Sequence, residues 1–284
     1  MLGHCYREIF KMNDEILHKV WDIEIEILEQ FHLFCIKNNL RYTLAYGTLI
    51  GAIRHKGFIP WDDDIDVMMP REDYEKMLKL WSEEVSNQYV LQDYNSDEDY
   101  TNNFAKIRKN NTTFIQSEDE KLKKYHKGIF IDVFPGDRIP NNFILKKIVY
   151  IASAVNLLYS RKFCSGLNGL IGVIEKILLK TNKTNFSKRR NYAEKIMKHW
   201  NKNTELKFVF PCTIQCCKKY LPSDMFENLK IANFENREFY ITKNYDEILR
   251  NEYGNYMLFP PENEQKWKHH PILIDFKNNY EDIK

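Results

Sequence analysis

Carboxylates are concentrated in one short stretch of this 284-residue chain, the run Asp62-Asp63-Asp64-Ile65-Asp66-Val67. The alternation of acid with aliphatic in Asp64-Ile65-Asp66-Val67 has the period of a β-strand, in which residues i and i+2 share a face. Asp64 and Asp66 are therefore predicted to point the same way, too close together to stay ionised comfortably without a cation. Oxygen-only ligands of this kind suit Mg²⁺ or Mn²⁺. A divalent ion held by one or two carboxylates and by substrate phosphates is the usual arrangement for phosphoryl and nucleotidyl transfer. Asp62 and Asp63 would support the pair or cap the loop that leads to it.

Other groups extend this chemistry. Gly47 follows a predicted strand and would let a phosphate approach the backbone. The Thr48 hydroxyl and the N–H groups that open the next helix could hold the phosphate oxygens. Arg54, His55 and Lys56, at the far end of that short helix, offer cationic partners for a diphosphate. Asp132, between Ile131 and Val133 on a later strand, would complete the metal site or accept the proton of an attacking hydroxyl. Lys106 and Arg108 alternate with Ala105 and Ile107, so both project from one strand face. That face is predicted to turn toward the site, with one of the two contacting a donor phosphate. The competing reading is an exposed basic edge strand. Taken singly, a Gly-Thr pair is merely a turn and Arg54-His55-Lys56 a solvated helix end. Their conjunction points to a metal–phosphate site.

These residues need elements to hold them. Residues 13–37 read as an amphipathic helix, with Ile16, Val20, Ile23, Ile27, Phe31 and Phe34 on one side and Asn13 or Asp14 as its cap. A strand is predicted over residues 42–46. Gly47-Thr48 ends it and opens a short helix over 49–54. Gly57 and Pro60 break the chain before the acidic strand, residues 65–69, which Pro70 ends. A helix over 71–85 follows, then strands over 89–92, 104–108, 113–116 and 129–134, with Pro135-Gly136 closing the last. Beyond residue 140 the character changes. Residues 143–159 and 167–179 are apolar, 187–200 are basic, and no strand signal returns before about Phe208. The chain thus divides into residues 1–140 as a catalytic core, 141–205 as a basic, largely helical insertion, and 206–284 as a segment completing the core and its acceptor side.

Composition bounds the rest. An apolar fraction of 43% suffices for a core, and the length suits one large domain or one domain with an elaboration. Residues 1–10 mix acidic, basic and apolar side chains, so no signal peptide is expected. The uncharged run over residues 148–160 falls short of the roughly 20 residues needed to span a bilayer. Six cysteines at irregular spacing read as reduced thiols. Cys212, Cys216 and Cys217 form a loose cluster, better read as idle thiols than as a metal site because no His or fourth Cys follows at finger spacing. These features suit a cytoplasmic protein. Residues 141–205 hold 13 Lys and Arg against 3 Asp and Glu, a balance of +10, which leaves −8 for the rest of a chain of net charge +2. Apolar runs there alternate with Lys146-Lys147, Arg161-Lys162 and Lys188-Arg189-Arg190, a pattern suited to amphipathic helices lying on an anionic membrane. In the competing reading the apolar faces pack on the core and the basic faces are solvated.

The order Gly-Thr, short helix, Asp-Ile-Asp-Val and a later strand Asp resembles the nucleotidyltransferase superfamily with its polymerase-β-like core. More narrowly, GTLIGAIRHKGFIPWDDDIDVMMPREDYEKM, GIFIDVFPGD and YGNYMLFPPENEQKWKHH resemble the LicD family, relatives of the fukutins. The resemblance implies an α/β fold with a mixed-sheet nucleotidyltransferase core. It implies a phosphotransferase that moves a phospho-alcohol, phosphocholine being the best-known cargo, from a CDP-alcohol donor to a hydroxyl of a bacterial surface glycan, with release of CMP. The glycan would be a teichoic acid, lipopolysaccharide or capsular sugar. A lipid-linked acceptor would be met at the inner face of the plasma membrane, and nucleic acid is not an expected partner. On this reading Asp64, Asp66 and Asp132 bind metal, Gly47 and Thr48 meet the diphosphate, and His269 and His270 either serve the acceptor side or form a polar surface pair. Gln265 stands where the family often shows a basic residue. Two rivals remain: a nucleotidyltransferase that attacks an NTP and releases pyrophosphate, and a non-catalytic glycan-binding protein with a degenerate site.

Overall fold

The computed structural model describes residues 13–117, 119, 122–164, 166, 169–180 and 186–282. Residues 1–10, where a leader would stand, lie outside them, as do residues 167 and 168 of the second apolar run. The chain enters as α1 (Asp14–Lys37), where the Asn13 side chain accepts the N–H of Ile16 at 2.9 Å and satisfies a donor the helix itself cannot. Next come β1 (Thr43–Leu44), α2 (Tyr46–Arg54), β2 (Asp66–Pro70), α3 (Arg71–Glu84), β3 (Tyr89–Gln92), β4 (Ala105–Lys109), β5 (Thr113–Gln116) and β6 (Phe130–Arg138). Three helices follow, α4 (Phe143–Arg161), α5 (Leu170–Lys180) and α6 (Phe186–Met197). The chain then returns as β7 (Phe208–Val209), β8 (Leu229–Phe234), β9 (Arg237–Thr242), α7 (Tyr245–Tyr253) and β10 (Pro271–Asp275).

The fold is mixed α/β. One sheet has the order β1-β2-β6-β4-β3, with β7 added at the end of β6. Within it β2 and β6 run parallel and the remaining pairs antiparallel. Strand alternation splits the sheet chemically. Val67, Ile107, Ile131 and Val133 face the core that α1 and α3 supply through Phe31, Met77 and Trp81. Asp66, Lys106 and Asp132 take the opposite face. Burying each large apolar side chain stabilises the fold by roughly 1.5–3 kcal/mol, and this one-sided burial fixes the strand register, since a slip of one residue would send the carboxylates into the core.

Three of the boundary differences from the sequence expectation bear on the site, each for a local reason. Tyr46 adopts φ 45° and already starts α2, so Gly47 and Thr48 sit inside the first helical turn instead of ahead of it. Strand β2 begins at Asp66. Asp64 therefore lies in the preceding loop, although the Asp132 N–H donates to Ile65 O at 2.8 Å and carries the pairing one residue further back. Strand β6 runs through Pro135-Gly136 to Arg138. Because the Asp132 N–H points toward β2, an N–H at position 135 would point toward β4, whose pairing has already ended at Ala105↔Val133. A proline is tolerated there because no ladder bond is lost.

Candidate active site

Register brings the first groups together. Asp66 on β2 pairs with Asp132 on β6, Asp132 with Lys106 on β4, and Lys106 with Gln92 on β3. Four polar side chains thus form one row across four strands. The Lys106 ammonium reaches Asp132 Oδ1 at 2.5 Å and lies 3.5 Å above the centre of the Phe130 ring. At the other end of the row Thr48 Oγ1 accepts the N–H of Asp66 at 2.8 Å, so Thr48 fixes the start of β2.

The loop of Asp62, Asp63 and Asp64 folds over the end of this row. Trp21 Nε1 on α1 donates to the Asp62 carbonyl at 2.9 Å. The Asp62 carboxylate lies against the backbone of Gly47, where an added Cβ would come within 2.1 Å of Oδ2. Only glycine permits that approach. Asp63 accepts the backbone N–H groups of Lys268 and His269 at 3.1 and 2.9 Å. Lys268 places its ammonium 3.0 Å from Asp62 Oδ1 and 3.4 Å from Asp64 Oδ1. Asp62, Asp63 and Asp64 each offer an oxygen within 4.8 Å of the others. From α1, Glu24 is 2% exposed, and its Oε2 has no hydrogen-bond partner among the described residues.

The electrostatics follow from this crowding. Burial and the repulsion of Asp64 push Asp62 up to about 6, with Lys268 opposing. Burial, then Asp64 and Asp132, hold Asp66 well above the usual carboxylate range. Burial raises Asp132 while Lys106 pulls against it. Glu24 is raised well above its ordinary value by burial and then by Asp64, Asp63, Asp62 and Asp132. Burial would lower Lys268 and His269, but Asp64 and Asp62 outweigh it for the lysine and Asp63 for the histidine, so both are raised. Acids too crowded to ionise together lack positive charge. The donor set is all carboxylate oxygen, and one buried oxygen is unpartnered. These residues fit a hard divalent cation such as Mg²⁺ or Mn²⁺.

The other expected residues are distributed as follows. Gly47 contacts a carboxylate of the protein itself. Arg54 donates from Nη1 to Tyr256 O and Leu258 O at 2.6 and 3.1 Å, and from Nε to His55 Nε2 at 2.9 Å. Its guanidinium and the His55 ring both lie against Phe259. The two therefore clamp the returning chain; at 1.5 Å per residue, the seven or eight residues between carry them roughly 11 Å from Gly47. Lys56 is exposed. Arg108 donates to Gln92 Oε1, Gly128 O and Tyr125 OH at 2.5, 2.6 and 3.0 Å and is fully buried. The competing reading of an exposed basic edge strand is thereby excluded, because β4 lies between β6 and β3. Of the pair, Lys106 faces the carboxylates. His269 turns inward onto Phe114 and Phe130, whereas His270 is exposed.

One step along the same face lies an aromatic row. Phe134 on β6 packs on Phe104 and on Phe210, both at 4.5 Å between ring centres, and Tyr46 stands edge-on to Phe134 at 5.6 Å. A narrow cleft beside it is lined in part by Tyr46, Met68, Phe210, Met225 and Tyr253.

Sequence reasoning missed Glu24 and Lys268. Glu24 had a visible signal: it falls four residues after Val20 on the apolar side of α1. Lys268 had none.

Known proteins share much of this sequence. The profile described as "LicD/FKTN/FKRP, nucleotidyltransferase domain" matches residues 39–164. The chain is 35% identical over 256 residues to the lipopolysaccharide cholinephosphotransferase LicD of Haemophilus influenzae, covering 86% of this chain and 92% of that protein. It is also 27% identical over 135 residues to an uncharacterized protein of Rickettsia prowazekii, covering 41% of this chain and 51% of the other.

Proposed function

This chain belongs to the LicD family, and within it we propose a metal-dependent phosphotransferase that moves phosphocholine from CDP-choline to a hydroxyl of a cell-surface glycan, releasing CMP. The observation that carries the reading is the row Asp66–Asp132–Lys106, with the Asp62–Asp64 loop strapped over its end. On this reading the sheet is a polymerase-β-like nucleotidyltransferase core. Residues 141–205 are an insertion, and residues 206–284 return to complete the site.

Asp64, Asp66 and Asp132, with Asp62 beside them, would hold the cation. When bound, it supplies charge neutralisation for the donor diphosphate. The rest is done by side chains. Lys268 and Lys106 bring ammonium groups to the carboxylate row, where they can meet phosphate oxygens. The acceptor hydroxyl forms a new O–P bond to the phosphorus bearing the choline. The P–O bond to CMP breaks, and CMP leaves with the electron pair. The hydroxyl proton passes to the Asp132 carboxylate. Positioning and charge do most of the work.

The aromatic row favours a cationic alcohol. The row lies two residues along the strand from Asp132, about 6.6 Å, near enough for the headgroup of a phosphocholine whose phosphate sits beside the carboxylates. A phosphate over the carboxylates would set the trimethylammonium among ring faces, which attract such cations. The test is product analysis. Purified protein with Mg²⁺, CDP-choline and a lipopolysaccharide acceptor should release CMP, and Asp66→Asn should lower the rate by at least about 100-fold. Asp132→Asn should lower kcat more than it raises the donor KM. Pyrophosphate release from an NTP, with no CMP from CDP-choline, would replace this reading with nucleotidyl transfer.

A further inference from the structure

Helix α4 has two different sides. Its inner side is tied to the protein. Val149, Ala152 and Ser153 are buried, Ser153 Oγ donates to Pro211 O at 2.9 Å, and the Tyr150 and Tyr220 hydroxyls meet at 2.8 Å. Its outer side is an open apolar stripe of Ile144, Ile148 and Ile151, at i, i+4 and i+7, the first and last 67% and 63% exposed. Helix α5 repeats the pattern. Leu170, Val173, Ile174 and Ile177 are all exposed, Leu170 to 76%. A soluble surface normally scatters such residues singly; two apolar stripes on consecutive helices mark an interaction surface.

Charge identifies the partner. Residues 141–205 carry the balance of +10. Lys147 stands beside the α4 stripe, its ammonium 4.3 Å from the Phe143 ring centre, whereas Lys146 turns inward over the Tyr220 ring; Lys176 and Lys180 lie on α5. Apolar side chains bordered by lysines suit the boundary between acyl chains and anionic headgroups. By length and composition α4 could cross a bilayer, but its bonded inner side would then have to leave Pro211 and Tyr220. Lying in the interface keeps those bonds.

We propose that the outer faces of α4 and α5 form a docking surface for an anionic lipid bilayer. This surface is defined by exposure and charge and does not depend on the transfer reaction. It has a consequence for the site nonetheless. Pro211, which α4 holds through Ser153, also accepts from Asn103 Nδ2 at 3.1 Å and adjoins Phe210 of the aromatic row. One layer of protein therefore separates the docking surface from the residues beside the carboxylates.

Co-sedimentation of the full chain tests this with vesicles of mixed phosphatidylglycerol and phosphatidylcholine, and of phosphatidylcholine alone, at low and high salt. The protein should pellet with the anionic vesicles at low salt and much less at high salt. Ile151→Ser should weaken that binding about tenfold, and the pair Lys147→Glu and Lys176→Glu at least as much. All these positions are exposed or partly exposed, and circular dichroism should show the variants folded. Failure to bind anionic vesicles, or binding untouched by both sets of substitutions, would overturn the proposal. So would concentration-dependent dimerisation that Ile151→Ser abolishes without any vesicle binding, since the stripe would then be a self-association face.

Discussion

At the scale of single residues the site is governed by competition between burial and charge. Asp62 is the clearest case, with its acid strength shifted from 3.8 to about 6 by burial and then by Asp64. A carboxyl whose folded value is raised binds its proton more tightly in the native state. It therefore contributes stability that is complete below pH 3.8 and is lost as pH rises through 6. In metal-free protein this group should remove on the order of 2–3 kcal/mol between those limits, and the raised values of Asp66 and Glu24 act in the same direction. Asp62→Asn, neutral throughout, should flatten the pH dependence and be more stable than the parent near neutral pH. Calorimetry in chelator across pH 4 to 7 will show this; an unchanged slope would mean that Asp62 is already neutral or compensated. The run Asp62 to Asp66 was legible from residue type alone, because acids packed so densely along the chain repel one another unless a cation joins them. The neutralising lysine was not. Lys268 is recruited by backbone bonds from a segment with no regular structure; the neighbouring His269 and His270 drew attention to the segment but not to the lysine.

At the scale of elements, α2 and β2 act as one device. The Asp66 N–H is held by Thr48, and Asp62 folds back onto Gly47. Gly47→Ala should force the Asp62 carboxylate aside. The clash is with the end of a side chain, so stability should fall by only about 1–3 kcal/mol, while affinity for Mg²⁺ drops. Combining Gly47→Ala with Asp62→Ala should restore most of the stability lost to the clash but not the affinity, a non-additivity that urea unfolding and titration calorimetry can separate. Periodicity made α1 and α3 readable, since each has a well-defined apolar face. It failed where special backbone intervened. The positive φ of Tyr46 moved the start of α2, and the unpaired flank of Pro135 let β6 continue. The clamp made by Arg54 and His55 was hidden because its partners are carbonyls of residues 256 and 258, which carry no side-chain signature.

At the scale of the whole molecule, one buried ion pair joins the parts. Arg71, the first residue of α3, donates from Nε and Nη2 to the two oxygens of Asp137 at 2.9 and 2.6 Å, and from Nη1 to Glu194 on α6 at 3.0 Å. Arg71→Ala would leave Asp137 buried and unpaired and should cost about 3–5 kcal/mol, measurable as a lowered urea midpoint. A loss below about 1 kcal/mol would show that α6 and β6 are held together by apolar packing alone. The strap over Asp63 has a different kind of consequence. Its two donors lie 205 and 206 residues further along the chain. A contact of such separation closes a long loop, which is slow in folding and contributes nothing until both ends are in place. During synthesis α1 through β6 emerge first and can assemble their sheet, with the acidic loop tethered by Trp21 but not yet by the strap. Asp63 acquires its strap, and the cluster its Lys268 ammonium, only when residues 268 and 269 arrive, so a nascent or truncated chain would hold the Asp66–Asp132 row without the fastened loop that completes it.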